Sequence, residues 1–144
     1  MISLEVFAKS FAIGNIYWFT NPQINSTEPH PHLCIGVKDK SIAFLICGTS
    51  QFEKKKRHFE LNGLPFETLV RLEPDSSNHL YKNTYINCNE IQVHSINDLF
   101  TTDGFSFFGT ISNSELYQVR NGLEISDLLE QDIKDFILKL FPEI

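Results

Sequence analysis

The chain has 144 residues, 42% hydrophobic and 21% charged, which fits one domain with a single core and argues against a disordered or membrane-like class. Its 18 Asp and Glu outnumber 12 Lys and Arg for a net charge of -6, which argues against a general nucleic-acid binder but permits a local basic site. The longest apolar run, Ile42 to Cys47, is far shorter than the about 20 residues of a membrane-spanning helix, so no membrane span is expected.

The first nine residues, MISLEVFAK, carry Glu5 inside the apolar stretch and make a poor secretory signal. Phe11 to Thr20 is aromatic and β-prone, with Gly14 marking a bend or bulge. The next ten residues, NPQINSTEPH, hold two prolines and two asparagines and read as a loop. His32 to Val37 and Ser41 to Cys47 read as a hairpin turned at Lys38 to Lys40. A basic loop, Lys54, Lys55, Lys56 and Arg57, then leads into a strand over Arg57 to Leu61, turned by Asn62 to Pro65. Glu67 to Leu72, Tyr81 to Cys88, Glu90 to His94 and Phe105 to Thr110 complete the strands, with a short helical turn at Ser95 to Phe100.

The period then changes. Ser112 and Glu115 have capping-box spacing ahead of Leu116, Val119 and Leu123. A second helix starts near Ser126, its apolar stripe at Leu129, Ile133, Phe136, Ile137 and Leu140 facing away from acidic residues. The expectation is a mainly β fold with C-terminal helices, a small antiparallel barrel over about 11–110 and helices over about 112–141, one domain spanning 1–144. Periodicity alone leaves barrel and sandwich open. Cys34, Cys47 and Cys88 form no C-x-x-C pair or zinc-ligand spacing and read as reduced thiols in a cytoplasmic protein, with no metal or cofactor expected.

Several short segments carry a resemblance in collinear order: GNIYW from Gly14, PHLCI from Pro31, CGTSQ from Cys47, HFEL from His58, Thr84 to Leu99, and GTIS from Gly109 with the helix after it. In this order the chain resembles the MazF/PemK toxins of toxin–antitoxin systems, and more loosely the CcdB gyrase poisons of the same fold. The resemblance implies an SH3-like barrel, a homodimer, a cognate antitoxin, and metal-independent cleavage of single-stranded RNA. It places a catalytic Thr at Thr49. It places the family's Arg at the position of His30, where an imidazole could act as base or acid near neutral pH. Such cleavage needs a base for the 2′-OH, an acid for the departing 5′ oxygen, and donors for the phosphorane charge.

His30 and Thr49 are therefore the candidate catalytic residues, and His32, Ser50, Gln51, Lys54, Lys55, Lys56 and Arg57 the candidate RNA contacts. Each also has a plainer reading. His30 is equally a loop histidine between two prolines, His32 an outward histidine at a strand start, and the basic run a solubilising loop. Glu28 is either a group that orients His30 or a solvated acid, and His58 packs or bonds within the sheet. Of Tyr17, Trp18 and Phe19, alternation sends some to the core and leaves the remainder as base-stacking candidates. The vacant arginine position keeps a second reading open, a non-catalytic toxin or binding module acting on a protein target or RNA.

Overall fold

The computed structural model describes residues 2–142; Met1, Glu143 and Ile144, the ends of the span expected as one domain, lie outside the described residues. Seven strands form an antiparallel, curled half-barrel sheet: β1 (Asn15–Phe19), β2 (His30–Lys38), β3 (Ile42–Thr49), β4 (Leu69–Leu72), β5 (Thr84–Asn87), β6 (Gln92–Ser95) and β7 (Ser106–Thr110). The order along the sheet is β4-β5-β3-β2-β1-β7, and β6 pairs with β3. The helices are α1 (Leu4–Lys9), α2 (Phe52–Asn62), α3 (Ile96–Phe100), α4 (Asn113–Ile125) and α5 (Gln131–Leu140).

β3 is the hub. One edge pairs with β2 along nearly its whole length, while the other gives Ile42–Leu45 to β6 and Gly48–Thr49 to β5. One strand serving two partners in succession must turn between them, and a register shift between Cys34 and Gly36 on β2 adds to the bend. The β2–β3 turn follows the sequence expectation. Asp39 and Lys40 take left-handed φ of 54° and 56°, and the Ser41 N–H donates to the Lys38 carbonyl at 3.0 Å.

The three central strands are apolar on both faces because both are covered. Ile16, Leu33, Ile35, Phe44 and Ile46 face α4 and α5, joining Leu116, Val119, Leu123 and Ile137. Tyr17, Phe19, Cys34, Ala43 and Leu45 face an aromatic layer with Phe7 and Phe11 at the N-terminal helix and Ile96 and Leu99 of α3. Burial of each side chain of Phe or Leu size contributes roughly 1.5–3 kcal/mol, so this two-sided core is the main favourable term. The two free edges of the half-barrel, β4 and β7, are bridged by the loop after β4, whose Ser77 carbonyl accepts the Thr110 N–H at 3.0 Å. A Cβ on Gly109 would lie 2.2 Å from that same carbonyl oxygen, so only glycine admits the bridging loop.

α4 carries the capping box expected at Ser112 and Glu115, both halves formed. α3 is capped by Ser95. α5 begins at Gln131 rather than near Ser126, whose hydroxyl is drawn inward to donate to Asn89. The strand expected over Arg57–Leu61 is instead the second half of α2. Glu, Lys, Arg and Leu are helix formers, and Gly63 at φ 64° ends the helix, with the Leu64 N–H returning to the Phe59 carbonyl at 3.0 Å. α1, capped by Ser3, was not foreseen. Among the described residues no helix is long and apolar enough to cross a membrane.

Candidate functional site

Antiparallel pairing of β2 with β3 brings together the two ends of one hairpin. His32 stands opposite Cys47, the last paired position of the ladder, and His30 and Thr49 lie two residues beyond it on their strands. Both line one cleft of about 400 Å³ at the rim of the sheet. Its floor includes Gly48, where a Cβ would fall 2.5 Å from Thr84 Cγ2 and 3.4 Å from Pro31 Cγ. Its walls include Trp18, Glu28, Tyr81 and Lys82.

His30 is half-buried, and its Nδ1 lies 2.9 Å from the Glu28 backbone carbonyl. A carbonyl only accepts, so Nδ1 carries a proton, and in the neutral ring the lone pair is on Nε2, which has no protein partner among the described residues. Glu28 thus orients His30 through its main chain, and its exposed carboxylate stands as a separate cleft charge. Thr49 Oγ1 accepts the Gln51 N–H at 3.1 Å, so the hydroxyl hydrogen is left to donate elsewhere. Ser50 and Gln51 are exposed and line the cleft; Gln51 is also the N-cap residue of α2, and no side chain caps that helix. The N-terminal, positive end of α2 therefore adjoins the cleft.

His32 does not join this site. It is 0% exposed, stacked on Phe19 at 4.0 Å between ring centroids. Its Nδ1 lies 2.8 Å from the His30 carbonyl and its Nε2 3.1 Å from Asn21 Nδ2. Burial pushes its pKa down to about 3, so the ring is neutral and spent on internal hydrogen bonds. The expected RNA contact at His32 is thereby corrected: two residues deeper along the same strand face, it is sealed over by the loop after β1.

The four cations are corrected in their arrangement. Lys54, Lys55, Lys56 and Arg57 lie on α2, not on a loop, and consecutive helical positions are about 100° apart. They therefore fan around the helix instead of presenting one face, and none of them lines the cleft. Lys55 is the half-buried one, close enough to Cys47 to pull its thiol pKa down against a stronger effect of burial, which raises it to about 11. His58 is exposed on the same helix and paired with Asn62, not within a sheet. Tyr17 and Phe19 are buried in the aromatic layer, leaving Trp18 alone of the three on the cleft wall.

Tyr81 and Lys82 were missed because they lie in what read as a strand; the strand begins only at Thr84. The signal that could have found them is the Tyr-Lys-Asn triplet, two polar residues directly after an aromatic one. Among the described residues no three His, Cys, Asp or Glu side chains gather where they could hold a metal ion. No protein-family model matches the chain, and no curated protein matches it.

Proposed function

We propose that the cleft receives single-stranded RNA and that the protein is a toxin-like endoribonuclease of the MazF/PemK kind, cutting without metal through the RNA's own 2′-OH. The observation that carries this reading is the meeting of His30 and Thr49 in one cleft. His30 Nε2 takes the proton of the 2′-OH, the freed oxygen attacks phosphorus, and the bond to the 5′ oxygen breaks. The products are a cyclic phosphate and a 5′-hydroxyl, the departing oxygen taking its proton from the protonated His30 or from water. The Thr49 hydroxyl and the Lys82 ammonium supply the donors that the missing arginine leaves unfilled. Single-stranded RNA is the substrate, and the remaining partners are a second copy of the chain and an antitoxin whose acidic, partly disordered segment lies along α2.

A gel assay of purified protein on mixed RNA with EDTA present tests the reading. Wild type cuts, and Thr49→Ala and His30→Ala each cut at least about 100-fold more slowly. A clean wild type that leaves RNA intact, or a Thr49→Ala protein that cuts as well, overturns it. One observation favours a second reading, a non-catalytic binding module of the same fold: with His32 buried, the cleft holds one imidazole and no arginine. Growth arrest on expression with bulk RNA intact is the result expected of that alternative.

A further inference from the structure

We infer that Tyr81 is a stacking platform for an unpaired nucleobase next to the phosphodiester lying between His30 and Thr49, with Lys82 as the adjoining backbone contact; this deepens the proposed function and rests on it. Tyr81 lines the cleft yet is 78% exposed, so its ring stands in solvent where no core packing accounts for it. Its aromatic contacts are edge-type: its centroid lies 6.1 Å from that of Trp18 and 5.7 Å from that of Phe108, with interplanar angles of 62° and 72°. Neither neighbour stacks on it, and a face remains open to a flat ligand.

The segment that carries it is fixed before any ligand arrives. Asn78 is fully buried, its Oδ1 accepting the N–H groups of Asp75 and Leu80 and its Nδ2 donating to the Glu73 carbonyl at 2.7 Å. On the other side, the buried Thr84 donates its hydroxyl to the Lys82 carbonyl at 3.1 Å. A platform held this way loses little conformational freedom on binding. Lys82 is exposed and makes no ion pair among the described residues, so its ammonium is available to a phosphate. An open aromatic face beside a free cation suits a strand whose bases are turned out. A duplex, whose base faces are already stacked, gains nothing from the ring.

The test uses the full chain and a fluorescein-labelled single-stranded hexanucleotide with 2′-O-methyl sugars, which cannot be cut, followed by anisotropy. A second probe is the same sugar–phosphate chain without bases. Wild type binds the intact hexamer. Tyr81→Ala binds it about tenfold more weakly, while Tyr81→Phe and Tyr81→Trp stay within about twofold. The abasic probe binds wild type and Tyr81→Ala alike, and Lys82→Ala lowers the salt slope by about one. Tyr81→Ala binding the intact hexamer as wild type does, or no hexamer binding by wild type at all, overturns the platform. The two readings separate cleanly: binding with this Tyr81 pattern but no cutting of unmodified RNA ends the nuclease reading alone. Thr49-dependent cutting with an unchanged KM in Tyr81→Ala ends the platform alone. Because the residue is mostly exposed, its alanine variant is expected to melt with wild type, which a thermal scan verifies.

Discussion

His30 and His32 sit two residues apart on one strand face and end in opposite conditions. The first keeps Nε2 open to a cleft, and the second has both ring nitrogens engaged inside the protein. The buried ring makes a pH prediction. Burial lowers the folded-state pKa of His32 from 6.5 to about 3, and His94 is lowered in the same direction by its own burial. The unfolded chain takes up a proton below about pH 6.5 while the folded chain does not. The stabilisation is therefore complete above pH 6.5 and is lost as pH falls toward 3. At pH 5 the His32 contribution to this loss is ~2 kcal/mol. Urea unfolding at pH 7.5 and 5.0 measures it, and His32→Gln flattens the difference; equal pH slopes for the two proteins refute the assignment. Thr49 was named from the resemblance, and the structure puts it at the end of β3 with its Oγ1 accepting the Gln51 N–H. The state of each histidine was not legible in the sequence, since it depends on Asn21 and Phe19, which pattern reading does not bring to that spot.

Among the elements, α2 is where sequence and structure part most sharply. Asn62 and Gly63 signal a backbone that needs positive φ, and a hairpin turn and a helix C-terminus share that need. Phe52 and Phe59, seven residues apart, are the helical signal, with Phe59 fully buried against Phe66 and Phe52 lying 4.8 Å from Tyr85 between ring centroids. Between them the helix is polar nearly all round, so no stripe announced it. Arg57→Pro tests the helix. Mid-helix it removes a hydrogen bond and clashes with the turn before it, costing ~3 kcal/mol or more, whereas Arg57→Ala, at an exposed position, changes stability by under about 0.5 kcal/mol. Urea unfolding followed by circular dichroism decides; a well-tolerated proline refutes the helix. The loss of the strand at His58 also removes one of the six segments that carried the resemblance; those from Gly14, Pro31 and Cys47 lie on the paired strands β1, β2 and β3, Thr84 to Leu99 takes in β5 and β6, and Gly109 lies on β7.

In the whole molecule, one feature bears on assembly. β7 ends the sheet, and its Phe107 is 58% exposed on that edge, while the loop after β4 holds only the Thr110 end. An edge with an apolar side chain and unpaired main-chain groups is a ready surface for a second copy. The proposed homodimer therefore appears in light scattering at micromolar concentration as twice the chain mass, and Phe107→Lys shifts it to monomer. A wild type that scatters as a single chain removes the dimer. The mainly β architecture and the C-terminal helices were legible from alternation, from the change of period after Thr110 and from the capping box. The two-sided covering of β1 to β3 was not, because short apolar runs look alike whether one face is buried or two.

The amino-acid order alone determined what near neighbours decide: the central strands, the β2–β3 turn, the cap of α4 and the stripe of α5. These follow from side-chain periods of two and 3.6 residues and from hydrogen bonds between groups three or four positions apart. Only the tertiary structure decided that His32 is walled in by Phe19 and Asn21 and that Tyr81 and Lys82 join His30 and Thr49 at one cleft. Those outcomes depend on packing between the β2–β3 hairpin and segments outside it, which no local pattern encodes.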